Sequence, residues 1–438
     1  MQNMKVLVAD PIAQDGIESL SKHTEVDVKL GLKEDELISI IGDYEALVVR
    51  SQTRVTTPVI ESGKKLVVIG RAGVGVDNID VETATRRGVV VVNAPASNTI
   101  SAAEHTIALM FSLARHIPQA NTMLKSGVWK RAEFTGTEVR GKTMGIIGLG
   151  NVGSEVARRA QGLQMHIIAY DPFVSTDHAH NLGAELTSVE ELLQKSDFIT
   201  LHIPLTSSTK GMIGAKQLST VKPNAYIINC ARGELIDEEA LVQAIEESRI
   251  AGAAVDVFPH EPATDSVLFR SDKIIVTPHL GASTIEAQAG VAVDIAEQII
   301  AVLKGQPARY TVNAPLIPAE TLAVLAPFIN LCSVEGKLLS QLSEGQMNAI
   351  EIRYEGELAS YDTAALRTTI IGGLLEAVSE ERVNIVNADL IAKSRGLSIT
   401  EHKNTTCENY ASLMTADKTT GIGTTIIAGT LIREEPHI

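Results

Sequence analysis

Long apolar runs are missing from this 438-residue chain. No window approaches the roughly 18 consecutive apolar residues of a membrane helix, so no membrane span is expected. Cysteine is nearly absent as well. Cys230, Cys332 and Cys407 are the three present, far apart and without paired or metal-ligand spacing. That excludes a disulfide framework, leaves no metal site to expect, and suits a reducing compartment. Aromatic residues make up 3% of the chain, so its cores must be aliphatic. Basic residues are outnumbered 38 to 53 by acidic ones, a net charge of −15 that argues against nucleic acid or an anionic membrane as partner. An acidic small molecule could still bind, given a local cluster of arginine or lysine. The start, MQNMKVLVADP, lacks a basic region followed by a long apolar stretch, and a soluble cytoplasmic protein is expected.

What is present is rhythm. Lys5–Ala9, Ala46–Arg50, Leu66–Gly70 and Val89–Asn93 are short β-branched runs bounded by Gly, Asp, Asn or Pro, with helical spacing between them. Buried strands alternating with helices imply a parallel sheet covered on both faces. A longer helical stretch, Ser101–Ser126, interrupts the series. A second series follows in Met144–Gly148, His166–Asp171, Phe198–Ile203, Ala225–Cys230, Ala253–Val257 and Ile274–Thr277. The helical stretch Thr284–Lys304 is expected to return to the first domain and make it discontinuous. From Pro315-Leu316-Ile317-Pro318, read as a linker, the pattern changes to strands of clearer alternation (Ile350–Tyr354, Gly423–Leu431) mixed with helices (Thr363–Val378, Asn387–Arg395).

Gly148-Leu149-Gly150-Asn151-Val152-Gly153 follows the strand that begins the second series and opens a helical pattern. A GxGxxG string alone is weak; at a strand-to-helix turn it fits a dinucleotide. Gly148 permits the tight turn, Gly150 removes a side chain where pyrophosphate must approach, and Gly153 lets the helix pack closely. The helix N-terminus then holds the diphosphate. The next strand ends at Asp171, where a carboxylate accepts ribose hydroxyls and repels a 2′-phosphate, so NAD is favoured over NADP.

Three further segments each close a strand: Asn229-Cys230-Ala231-Arg232-Gly233, Asp256-Val257-Phe258-Pro259-His260-Glu261-Pro262, and Thr277-Pro278-His279-Leu280-Gly281-Ala282-Ser283-Thr284. Strand C-termini line the crevice of an open parallel sheet, so an arginine, a glutamate and a histidine converge there. Taken singly each has a plainer reading: Arg232 pairing with Glu234 or Asp237, Glu261 solvated in a turn, His279 an ordinary loop residue. His202 is read as structural or as part of a cofactor wall, and His260 as a surface residue. Together with Gly70-Arg71-Ala72-Gly73-Val74-Gly75-Val76-Asp77-Asn78 and the Gly-rich fingerprint, these motifs in this order resemble the D-isomer-specific 2-hydroxy acid dehydrogenases over residues 4–315.

The resemblance implies a mechanism. His279 would take the proton of a substrate hydroxyl as C2 is oxidised, with Glu261 orienting the ring and favouring the protonated form needed in reverse. Arg232 would fork the substrate carboxylate and polarise the carbonyl. The backbone at Val74 and Gly75 would complete that cradle. Asp256 would bind the nicotinamide carboxamide, and Cys230, Ala231, Gly281 and Ala282 would line the cofactor. Arg50 and Arg71, each at a first-series strand end and expected to point into an interdomain cleft, would bind a substrate phosphate, with Arg131 a third candidate; Arg86 and Arg87 look solvated. The acid implied is 3-phospho-D-glycerate, oxidised with NAD to 3-phosphooxypyruvate at the entrance to serine synthesis.

The fold implied is α/β, with two doubly wound parallel-sheet domains: a flavodoxin-like substrate domain (1–96 and 285–315) and a Rossmann NAD domain (97–284). A C-terminal α+β domain (319–438) resembles the intervening, allosteric-substrate-binding-like domain of long family members, through Ala392-Lys393-Ser394-Arg395-Gly396-Leu397 and Ile427-Ala428-Gly429-Thr430-Leu431. No serine-sensing ACT domain is expected. The resemblance further implies a homodimer or homotetramer, with Ser101–Ser126 as a contact helix. Two alternatives stay open: a hydroxypyruvate or glyoxylate reductase, which would not need Arg50 and Arg71, and a non-catalytic NAD-sensing protein like the corepressors that share the fold.

Overall fold

The computed structural model describes residues 4–315, 319–379, 382–433 and 435–438. Most of the Pro315–Pro318 linker therefore lies outside the described residues. The chain divides into two compact units, Met1–Pro95 with Ala289–Ile438, and Ala96–Gln288.

The first unit holds two sheets. One is parallel and built from β1 (Lys5–Val8), β2 (Glu25–Val28), β3 (Ala46–Val49), β4 (Val68–Arg71) and β5 (Val90–Asn93), in the order β2-β1-β3-β4-β5. This is the flavodoxin-like order, with its switch point between β1 and β3. Val6, Val8, Val48, Val68 and Val92 bury one face against Ile295 and Ile299 of the helix Ile285–Leu303. Leu7, Leu47, Val49, Ile69 and Val91 bury the other face. Burial on both faces is why these strands read as unbroken apolar runs. The edge strand β2 was not visible that way: Glu-Val-Asp-Val has one half-exposed face and carries no buried residue.

The second unit carries seven parallel strands: β6 (Thr143–Ile147), β7 (His166–Tyr170), β8 (Ala184–Leu186), β9 (Phe198–Leu201), β10 (Tyr226–Asn229), β11 (Gly252–Val255) and β12 (Ile274–Val276). Their order is β12-β11-β10-β9-β6-β7-β8, which reverses between β6 and β9, the doubly wound layout with its ligand crevice beyond the strand C-termini.

The stretch Ser101–Ser126, expected as one helix, is two: Thr99–Arg115 and Ile117–Lys125, with His116 between them in the left-handed region. Pro118 explains the break, since its ring would collide with the carbonyl of Ala114 in a continuous helix. That carbonyl instead accepts the Thr137 N–H at 2.8 Å.

The rest of the first unit is a mixed sheet, β13 (Met347–Gly356), β14 (Ser398–Asn404), β15 (Ser412–Thr420), β16 (Thr424–Ile432) and β17 (Glu435–His437), ordered β14-β13-β15-β16-β17. Only the β13–β14 pair is parallel. The helices Ala319–Leu342 and Ala364–Glu376 cover one face with an apolar core around Leu331, Ile352, Tyr354, Leu366 and Ile370. A loop of this part is latched to the first sheet's domain. Arg382 Nη1 donates to Leu66 O at 2.8 Å, Asn384 Nδ2 to Gly88 O at 2.7 Å, and Asn387 Nδ2 to Arg86 O at 3.3 Å, while Ile385 and Val386 join its core. Among the described residues no helix is long and apolar enough to cross a membrane.

Candidate active site

The Gly-rich turn sits where β6 meets the helix Asn151–Gly162. Gly148 has φ +98°, and a Cβ there would fall 2.5 Å from His202 O; at Gly153 a Cβ would lie 1.9 Å from Gly148 O. Both positions need glycine for the turn itself. Gly150 differs: a Cβ there would meet nothing within 4 Å, so its lack of a side chain serves the open space rather than the fold. The N–H groups of the first helical turn, Asn151 to Gly153, have no acceptor further back in the helix and face that space. Asp171 closes the arrangement from the end of β7, its Oδ2 accepting the Leu149 N–H and its Oδ1 the Phe173 N–H, each at 2.9 Å. An open glycine, free helical N–H groups and a fixed carboxylate fit the diphosphate and ribose of NAD.

Two strands away, three loops converge. His279 follows β12 in the left-handed region, φ 55°, with its N–H donating to Asp256 O at 2.8 Å. Its Nδ1 lies 2.8 Å from Glu261 Oε2, and Glu261 Oε1 accepts the Phe258 N–H at 3.1 Å. Burial alone would raise the Glu261 carboxyl. The His279 hydrogen bond and charge, with the Phe258 N–H, outweigh that and hold it below its ordinary value. Arg232 follows β10; its Nη1 donates to Ala231 O at 2.6 Å, and Asn229 Nδ2 donates to Arg232 O at 2.9 Å. Gly233 brings this loop onto the next, because a Cβ there would lie 2.1 Å from the carbonyl carbon of Phe258. The arginine loop and the glutamate loop are thus in backbone contact.

Below them lies a buried polar cluster. Asp256, fully buried, accepts from Thr277 Oγ1 at 2.5 Å, Leu280 N–H at 2.8 Å and Gly281 N–H at 2.9 Å, with His105 Nε2 at 3.2 Å. Burial would raise its carboxyl; those donors more than offset it and lower it. Cys230 is pushed up to about 12 by burial and by the Asp256 charge, so its thiol stays protonated at neutral pH. His202 is pushed down to about 4 by burial and has Nε2 2.9 Å from Thr200 Oγ1, a structural imidazole. His260 is exposed, and Ala282 is half-buried beside Gly281. His105 carried no signal in the sequence, since it lies inside the helical stretch Ser101–Ser126 with no spacing relation to Asp256, and only the fold carries it to β11.

In the other unit, Arg50 follows β3 at the switch point of the first sheet. Its N–H donates to the buried Asp10 Oδ2 at 2.6 Å, and its carbonyl accepts Asn78 Nδ2 at 2.7 Å. Arg71 ends β4 and lies against Gly73, where a Cβ would fall on its guanidinium. The carbonyl of Val74 accepts Asn93 Nδ2 at 2.6 Å, which fixes the loop carrying Gly75. Arg131 is exposed in the 3-10 turn Arg131–Phe134 of the second unit.

A dinucleotide turn beside a histidine–glutamate pair is the layout of a nicotinamide-dependent dehydrogenase. Residues 107–281 match the family model of the D-isomer specific 2-hydroxyacid dehydrogenase NAD binding domain, and residues 324–438 that of the D-3-phosphoglycerate dehydrogenase intervening domain. The chain is 48% identical to a D-3-phosphoglycerate dehydrogenase of Synechocystis sp. (98% of this chain, 77% of the relative). It is 46% identical to one of Methanocaldococcus jannaschii (99% and 83%). A solved D-lactate dehydrogenase of Aquifex aeolicus, complexed with NAD and lactic acid, superposes with a TM-score of 0.64 at 26% identity, covering 71% of this chain and 99% of that one. The chain belongs to the D-3-phosphoglycerate dehydrogenases, within the D-isomer-specific 2-hydroxy acid dehydrogenase family, and is an NAD-dependent oxidoreductase.

Proposed function

We propose that this protein oxidises 3-phospho-D-glycerate to 3-phosphooxypyruvate with NAD, the first step of serine biosynthesis. The observation that carries the reading is the 2.8 Å His279–Glu261 pair, set on the same sheet edge as the open Gly150 turn. When bound, NAD supplies the two-electron oxidant for C2. His279 Nε2 receives the hydroxyl proton, because Nδ1 is committed to Glu261 and the ring is held in one tautomer. The Glu261 carboxylate, its acidity strengthened by the His279 hydrogen bond and charge, then balances the imidazolium. Arg232 grips the substrate carboxylate and stabilises charge on the C2 oxygen. Arg50 and Arg71 bind the phosphate, with Arg131 as a further cation, and the Val74–Gly75 backbone assists at the carboxylate. Asp256 anchors the turn that bears His279 and is the residue assigned to the nicotinamide carboxamide. Cys230, Ala231, Gly281 and Ala282 line the cofactor.

Turnover of 3-phospho-D-glycerate, D-lactate, glycolate and D-glycerate with NAD tests this reading. The phosphorylated acid should give the highest kcat/KM, and Arg50→Ala and Arg71→Ala should each raise its KM about tenfold or more. Unchanged KM values in both variants would remove the phosphate assignment.

It assembles with copies of itself, as a homodimer or homotetramer, and its place is the cytoplasm. The helix Ile117–Lys125 has no buried residue, and Trp129 just beyond it is 79% exposed, with Ile117, Leu124 and Val128 exposed nearby. An apolar group of this kind on one short segment supports a homodimer face. Trp129→Glu should shift the sedimentation coefficient toward the monomer; an unaltered dimer would rule out this face.

A further inference from the structure

His105 stands apart from every residue assigned above. It lies on the helix Thr99–Arg115, whose Ala102, Ala103, Thr106, Leu109 and Met110 are buried. Its Nε2 is 3.2 Å from Asp256 Oδ1 and 3.2 Å from Thr277 Oγ1, and its side chain is 19% exposed. Asp256 in turn holds the turn that carries His279 from both sides: its carbonyl accepts the His279 N–H, and its carboxylate the N–H groups of Leu280 and Gly281. Those bonds support a left-handed conformation at His279, a region that non-glycine residues adopt in only a small minority of cases. Thr277, Leu280 and Gly281 belong to that same turn. His105 is the donor to the carboxylate that comes from outside it, on a rigid element. It therefore references the turn to the domain core.

We propose that His105 is a positioning residue: its Nε2–H fixes the Asp256 carboxylate, and through it the 277–281 turn, in the orientation that presents His279 Nε2 to the substrate hydroxyl. The proposal rests on the reading of His279 as the base. Asp256 Oδ1 accepts Thr277, Leu280 and His105 together. Without the imidazole a fully buried carboxylate loses a donor, its best compensation is rotation, and rotation releases the Thr277 hydroxyl before His279 and the Leu280 and Gly281 N–H groups after it. A misplacement of about 1 Å at the base is enough to cost up to about a hundredfold in rate.

The full-length protein with NAD tests it. His105→Ala should lower kcat about 10- to 100-fold while the Kd for NAD and the KM for 3-phospho-D-glycerate each move less than about threefold. His105→Gln, which returns an N–H donor at nearly the position of Nε2, should recover most of kcat. His105→Leu, similar in bulk but without a donor, should not. Equal kcat in the Gln and Leu variants overturns the proposal, as does full kcat in the Ala variant. If the Ala variant fails to fold, the Gln–Leu comparison decides. His279→Ala is measured alongside: its full activity would remove the base assignment itself, whereas an inactive His279→Ala beside a fully active His105→Ala removes only the inference on His105.

Discussion

Glu261 is the residue whose protonation the fold has changed in a way that reaches the chemistry. Its carboxyl is held below its ordinary value, so the folded state binds fewer protons than the unfolded one around the ordinary carboxylate pKa. The resulting stabilisation is present above that unfolded value and is lost as the pH falls through the lowered folded value. Glu261→Gln should therefore flatten the decline of Tm below about pH 5. It should also lower kcat about 10- to 100-fold, since the His279 ring keeps a hydrogen-bond partner but loses the counter-charge. A Tm-versus-pH series beside steady-state rates checks both, and an unchanged acid slope with unchanged kcat would contradict the role given to the pair. The pair was legible as two motifs, Phe258-Pro259-His260-Glu261-Pro262 and Thr277-Pro278-His279, because each ends a strand of a parallel sheet. The donors to Asp256 were not legible, because His105 is far away along the chain and has no spacing relation to it.

At the level of elements, the Gly-rich turn separates the demands of fold and ligand. Gly150→Ala adds a Cβ into open space at an ordinary φ, so Tm should change by less than about 2 °C. The same methyl stands where diphosphate must approach, and the Kd for NAD should rise about tenfold or more. Gly153→Ala drives a Cβ onto the Gly148 carbonyl and should lower Tm by about 5 °C or more. Differential scanning fluorimetry and calorimetric titration distinguish the two; equal effects on Tm would contradict the assignment. The buried strands were readable as β-branched runs, and the Rossmann turn from three glycines. The edge strands Glu25–Val28 and Ala184–Leu186 were not, since short half-exposed strands owe their conformation to a neighbour rather than to their own pattern. The break at His116 has its mark in Pro118, but the apolar periodicity on either side of it continues and reads as one helix.

For the whole molecule, Glu335 of the helix Ala319–Leu342 couples the third sheet to pH. It is fully buried behind Gly429, no side-chain oxygen of it has a partner among the described residues, and burial pushes its carboxyl up to about 8. The folded state thus keeps a proton that the unfolded chain releases near pH 4.5. The stabilisation is complete below that value and drains away as the pH rises to about 8. Tm should be higher at pH 5 than at pH 8 on this account, and Glu335→Gln should reduce the difference; an identical pH slope in the variant would refute the assignment. The three-sheet plan was legible from the change of pattern near residue 315, but the latch of Arg382, Asn384 and Asn387 was not, because its acceptors are backbone carbonyls that leave no mark in sequence. That latch grips the foot of β4 and β5, at Leu66 and Gly88, while Arg71 crowns the far end of β4. Free energy exchanged along one strand is reciprocal. If phosphate at Arg71 tightens β4, amide exchange at Val89 and Val90 should slow when 3-phospho-D-glycerate binds, and Asn384→Ala should weaken that protection; exchange indifferent to substrate would mean that the two ends of the strand do not communicate.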